Sequence, residues 1–247
     1  MQILTFIFNF SLLWLFARRY DDWKVGAFAA ILAIVAVFGT ILVILIFAVF
    51  AYKRNQKRIK SFQAFAAQDG WSFVPNETIF YFKDSSRHLL FRYGDSAKRI
   101  SPLIQKPYED GQVFVFDYYY TVGIGKNSKS RKMTVIAFHS PRLQLPYFAL
   151  YPESYWSFLG GLIGWNDIDF TSHPNFSKRY KLSSEEETQV RRVFQPQVLT
   201  SFENLPDASV EGGGNYIFLY TAKLMLPIET LNTHLDDAKK IYNLFHR

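Results

Sequence analysis

The chain has 247 residues, 49% of them apolar and 20% charged, which excludes a disordered, solvated polymer. It contains no cysteine, so disulfides, thiolate catalysis and Cys-ligated metal sites are excluded. The net charge of +7 is unevenly spread: residues 53–60, KRNQKRIK, carry five basic and no acidic side chains, whereas 61–247 balance 20 Lys and Arg against 19 Asp and Glu.

The first apolar segment, residues 3–17 (ILTFIFNFSLLWLFA), has no basic residue before it and ends in Phe-Ala-Arg-Arg. A cleaved signal needs early positive charge and a small-residue cleavage site, so cleavage is not expected. Counted from Met1 it is 17 residues long, the lower edge of a spanning helix, and it is a candidate first span. The connector RRYDDWK, 18–24, is short enough for a helical hairpin, so one span or two stay open. Residues 25–52 are 28 consecutive uncharged positions. As a helix they reach about 42 Å, against the roughly 30 Å of a hydrocarbon core, which predicts a membrane span.

Orientation follows from basic residues near the span ends. The connector offers Arg18, Arg19 and Lys24, while Lys53, Arg54, Lys57, Arg58 and Lys60 follow the span, which places the C-terminal part in the cytoplasm. The same five side chains are the candidate contacts with anionic lipid headgroups. In a hairpin the two connector arginines face outward against that rule.

Residues 54–69 read as a helix continuing from the span, with Ile59, Phe62, Phe65 and Ala66 at helical spacing and Gly70 as its C-cap. The anchor is therefore 1–60 and the soluble part 61–247. Strands are expected at 71–74, 112–122, 132–139, 147–151 and 215–222, with short ones at 167–170 and 176–182. Residues 123–131, GIGKNSKSR, read as the polar loop of a hairpin. A helix is expected around 85–92, and another opens at 183–187 with a capping box of Ser183 and Glu186 or of Ser184 and Glu187. Glu211-Gly212-Gly213-Gly214 reads as a turn, and a closing helix over 228–245 puts Leu231, Leu235, Ala238, Ile241 and Phe245 on one side. This order predicts an α+β fold with a mainly antiparallel sheet and flanking helices behind the membrane anchor.

Several blocks in one order carry a resemblance. VFDYYYTVGIGK (115–126), PRLQLPYFALYPE (141–153), GWNDIDF (164–170), HPNFSKRYKLSSEEE (173–187) and EGGG (211–214) resemble the signature of a family of uncharacterised bacterial membrane-anchored proteins. The resemblance spans roughly 54–245 and implies a membrane tether plus one soluble domain. It implies no activity.

Gly123-Ile124-Gly125-Lys126 lacks the G-x-x-x-x-G-K-[ST] spacing of a phosphate loop and joins two strands, so a hairpin turn is the reading. Its Lys126, Lys129, Arg131 and Lys132 suit an acidic partner or lipid headgroups, or form a solvated basic loop. Asp117 interrupts an apolar strand and must be paired, with Arg131, Lys132 or a tyrosine as expected partners, or else mark a site. Asp167 and Asp169 share a strand face, and Glu153, Asp207 and Glu211 are acids that folding would have to bring to them. The calcium-loop pattern is absent from this region, and no two histidines have metal-ligand spacing, so no metal or cofactor is expected. A nearly neutral body lacks a nucleic-acid groove, so Tyr118, Tyr119 and Tyr120 read as core and sheet surface.

These features predict a bacterial inner-membrane protein with a cytoplasmic α+β domain. That domain is expected to be a non-catalytic binding or scaffolding module, with the bilayer and a protein as partners. The alternatives are a membrane-face enzyme using Asp117, Asp167, Asp169 and Glu211, or a headgroup-binding module.

Overall fold

The computed structural model describes residues 23–74, 82, 87–92, 96–123, 125–155, 166–205, 207–221 and 224–246; the candidate first span at 1–17 lies outside them. The chain forms two compact units, Met1–Lys57 and Arg58–Arg247. Helix α1, Trp23–Gln68, runs unbroken from the first into the second. Its most apolar 18-residue window has a mean hydropathy of 3.1. The apolar side chains there point outward all round, with Phe28, Phe38, Phe47 and Phe50 each more than 60% exposed. Thr40, in the middle of the run, donates its hydroxyl to the Val37 carbonyl at 2.7 Å, so its polar group is satisfied within the helix. The expected C-cap is present: Gly70 has φ +69°, and Trp71 N–H closes back on the Ala66 carbonyl.

The second unit is built on a nine-stranded sheet, antiparallel at every pairing among the described residues. The strands are β1 (Ser72–Val74), β2 (Ser96–Tyr108), β3 (Gly111–Val122), β4 (Lys129–His139), β5 (Leu145–Pro152), β6 (Asn166–Asp167), β7 (Tyr180–Ser184), β8 (Ser209–Gly214) and β9 (Tyr216–Tyr220). Their order across the sheet is β1-β2-β3-β4-β9-β8-β5-β7-β6, so the β8–β9 hairpin is inserted between β4 and β5. The remaining elements are α2 (Leu89–Arg92), α3 (Pro174–Arg179), α4 (Glu187–Val193), α5 (Pro196–Asn204) and α6 (Leu231–Phe245). The expected α+β class with flanking helices is the observed one.

Strand alternation divides the core between the two sheet faces. Val113, Val115, Ile136, Phe138, Leu150, Val210, Ile217 and Leu219 meet the helices: Phe62 and Phe65 of α1, Phe176 of α3, Val190 of α4, Phe202 of α5, and Leu235 and Ile241 of α6. The other face carries Phe114, Phe116, Tyr118, Val135, Tyr151, Phe218 and Tyr220, under Phe82 and the Leu89, Leu90 and Phe91 of α2. Both faces are therefore buried. This explains why β3 reads as a nearly continuous apolar run instead of an alternating one.

Four local expectations are corrected. Strand β2 was not foreseen, because Pro102 and Pro107 and its charges argue against a strand; the ladder shifts register between Ile100 and Leu103, the irregularity that lets a proline sit there. Residues 176–179 are helical, started by Pro174 at the first turn of α3, and only 180–184 form a strand. The serines expected to cap a helix belong to β7: Ser184 donates to the Tyr147 carbonyl and accepts from Glu186 N–H, and α4 starts at Glu187 without a side-chain cap. Finally, Glu211–Gly214 is strand, not turn. A Cβ at Gly212 would lie 2.3 Å from Phe148 Cε1, and one at Gly213 2.3 Å from Tyr147 Cδ1, so the glycines admit two aromatic rings against the backbone.

Candidate functional site

Val113, Val115 and Asp117 alternate onto the helix face of β3, so the carboxylate points at α1, and Thr134 of β4 is directly opposite. Arg58 fills the space between them. Its Nε donates to Asp117 Oδ2 at 2.8 Å and its Nη2 to Oδ1 at 3.0 Å, a two-pronged pairing. The same Nη2 reaches Thr134 Oγ1 at 3.0 Å, and Nη1 donates to the Leu226 carbonyl at 2.8 Å. Thr134 donates to Asp117 Oδ1 at 2.7 Å and accepts from Leu226 N–H at 3.0 Å. Asp117 is fully buried and the Arg58 side chain only 17% exposed. One guanidinium thus joins α1, two central strands and the segment leading to α6. The partner of Asp117 is therefore drawn from the basic stripe, not from Arg131 or Lys132 as expected. Of the five residues of that stripe, Lys53, Arg54, Lys57 and Lys60 are exposed, and Arg58 is built into the second unit.

Glu211 lies on the opposite face of the sheet and is also buried. Its Oε1 accepts from the hydroxyls of Tyr151, at 2.6 Å, and Tyr220, while Oε2 accepts from Leu90 N–H at 2.9 Å. Burial raises its pKa above the usual carboxyl range against the opposing pull of these donors. The carboxyl fastens the first turn of α2 to the sheet. Next to it, the ring of His88 packs edge-on against Phe218 at 4.8 Å and is held by the Gly213 backbone. His88 Nε2 and the Tyr118 hydroxyl are buried without a hydrogen-bond partner among the described residues. Desolvation lowers the His88 pKa to about 3, so the folded state holds the ring neutral. Sequence reasoning passed over His88, because a lone histidine ahead of an apolar tripeptide carries no spacing signal.

This gives a pH dependence with a definite sign. The unfolded chain binds a proton at His88 near pH 6.5 and the folded chain does not, so stability falls as pH drops from 6.5 toward 3. Between pH 6.5 and 5 the loss from this residue is expected to be about 2 kcal/mol. Glu211 acts in the opposite sense, its contribution being greatest below 4.5 and lost as pH rises. His88→Asn should therefore abolish the fall over pH 6.5–5, measured by urea unfolding of the detergent-solubilised chain. An unchanged slope would assign the fall to another group.

The other acids lie apart. Asp167 Oδ2 accepts from Lys181 Nζ at 2.7 Å on the outer strands, and Glu153 approaches the same lysine at 3.8 Å. Asp169 is exposed and its backbone carbonyl accepts from Arg191 at 3.0 Å, while Asp207 pairs with Arg179 at 2.7 Å. Glu153 and Asp167 are thus brought to one lysine, but Asp117, Glu211 and the 167–169 pair occupy three separate places. Among the described residues no three His, Asp or Glu side chains are grouped to hold a metal ion. The tyrosines at 118–120 divide as their alternation dictates, Tyr118 and Tyr120 into the core and Tyr119 onto the helix face beneath Arg99.

No protein-family model matches the chain, and no curated protein matches it. Among solved structures it is similar to the crystal structure of the mycobacterial trehalose monomycolate transport factor A, TtfA, at 14% identity and a TM-score of 0.48, over 74% of this chain and 89% of that one.

Proposed function

We propose that the chain is a bacterial inner-membrane protein whose α+β domain works in the cytoplasm as a non-catalytic binding or scaffolding module. The observation that carries the proposal is α1: a run of 28 uncharged residues whose large apolar side chains from Phe28 to Tyr52 are exposed, followed by a basic stripe. So much outward apolar surface needs a non-aqueous cover, and a bilayer supplies one along the whole run. The non-catalytic reading is supported by the acids themselves. Asp117 is taken up by Arg58, Glu211 by two tyrosines and α2, and Asp167 by Lys181. Each has a structural partner, and no two of these three share a cleft where a substrate would meet both.

The test is topology. Reporters active on opposite sides of the membrane, fused after Arg247, should report the C-terminus in the cytoplasm, and the chain should stay with membranes through an alkaline carbonate wash. Replacing three residues of 34–45 with lysine should release it. A C-terminus outside the cytoplasm would overturn the orientation, and a chain washed free of membranes would overturn the anchor.

A further inference from the structure

Where α6 packs on the sheet, one position leaves the layer incomplete. The buried side of the helix presents Leu231, Leu235, Ala238, Ile241, Tyr242 and Phe245, so Ala238 is the small residue in a row of large ones. Beside it lies a cavity of about 160 Å³. Ile136 of β4 and Leu219 of β9, opposite each other across the ladder, line it together with Leu226 and Ile241. These four side chains and Ala238 each keep 2–5% exposure, while Val115, Val210 and Ile217 of the same core keep none. Solvent therefore reaches the apolar layer at this point.

The mouth of the cavity is polar. Asp207, just before β8, pairs with Arg179, and Asp237 of α6 pairs with Lys240, both at 2.7 Å. With each carboxylate already holding a cation, the His234 imidazole and the Thr221 hydroxyl on the same lining are the groups to meet an uncharged head. His234 stands one helical turn before Ala238, so the imidazole sits at one end of the gap that the alanine opens. An apolar cavity of about 150 Å³ is enough to take up benzene, whereas clefts for larger ligands run to roughly 300–1,000 Å³. The space therefore admits a single ring or a short chain and is too small for a nucleotide.

We propose that this cavity binds a small uncharged amphipathic molecule, a phenol or short-chain alcohol. Its apolar body fills the space beside Ala238, and its hydroxyl stays at the mouth with His234. Burial against Ile136, Leu219, Leu226 and Ile241 supplies the attraction, and the imidazole with the surrounding water satisfies the polar end. Every residue invoked belongs to the second unit, so the site is independent of the reading of 25–52 as a membrane span.

The test is a titration of the full detergent-solubilised chain, labelled at the isoleucine δ1 methyls and followed by nuclear magnetic resonance. Ile136 and Ile241 report the cavity, while the exposed Ile31, Ile34 and Ile41 of the uncharged run report ligand that merely dissolves in the micelle. Phenol should shift the Ile136 and Ile241 methyls saturably, and 2-naphthol, one fused ring larger, should not. His234→Ala should weaken phenol about fivefold, the worth of one hydrogen bond, and leave benzene unchanged. Ala238→Met should fill the space and remove the saturable shift for phenol and benzene alike. No saturation at Ile136 and Ile241 in the native chain, or equal binding of 2-naphthol, would overturn the proposal. So would a folded Ala238→Met chain that binds phenol as before; if that variant does not fold, the size comparison in the native chain decides alone. Equal effects of His234→Ala on phenol and benzene would overturn the placing of the hydroxyl at the imidazole.

Discussion

Arg58→Ala should lower the unfolding free energy of the C-terminal unit by about 3–5 kcal/mol, the range expected when one partner of a buried ion pair is removed. The reason is what remains. Asp117 is fully buried, and without the guanidinium its charge keeps only the Thr134 hydroxyl as a partner. The Leu226 carbonyl also loses its donor. Asp117→Leu should cost a similar amount, since it strands Arg58 beside apolar strands. The double substitution Arg58→Met with Asp117→Leu should recover most of the loss, because an apolar pair of similar volume leaves no unpaired charge. The measurement is urea unfolding of the detergent-solubilised chain, followed by near-ultraviolet circular dichroism. An Arg58→Ala loss no larger than that of exposed Lys60→Ala would show that the network does not hold the domain on its helix.

The second large effect is expected at Glu211. Glu211→Ala leaves the Tyr151 and Tyr220 hydroxyls and the Leu90 N–H without their acceptor in a dry core. At about 1–3 kcal/mol for each stranded group, the loss should exceed 3 kcal/mol, and α2 should lose its hold on the sheet. Glu211→Gln should cost about 1 kcal/mol or less. Its carbonyl can accept from Leu90 N–H while its amide donates to the two hydroxyls, which rotate to accept. Hydrogen exchange at Leu89–Arg92 separates the two substitutions: faster exchange in the alanine variant, near-native protection in the glutamine variant. Equal exchange in both would remove the carboxyl from any role in seating α2.

How much of this was legible depended on whether the signal was local. Gly70 announces its left-handed turn because few other residues adopt it without strain, and α6 shows its buried face through the spacing of Leu231, Leu235, Ala238 and Ile241. Strands β3 and β4 were plain from their run of β-branched and aromatic residues. Strand β2 was hidden by its prolines, since the ladder that tolerates them is provided by β1 and β3. The triglycine 212–214 looked like a turn because the rings of Tyr147 and Phe148, which need its missing side chains, are far away in sequence.

The candidate sites divide the same way. Residue types and their order by themselves determined the long uncharged helix, the basic stripe after it, the α+β class and the presence of a lone aspartate within an apolar strand. Those are matters of composition and periodicity, which any stretch of chain carries with it. Only the tertiary structure decided that Arg58 leaves the stripe to meet Asp117, that Glu211 and Asp117 stand on opposite faces, and that Arg99 joins Lys132 across Tyr119. Pairing across a sheet is set by register and by which face each residue takes, and neither is written in the residues that meet.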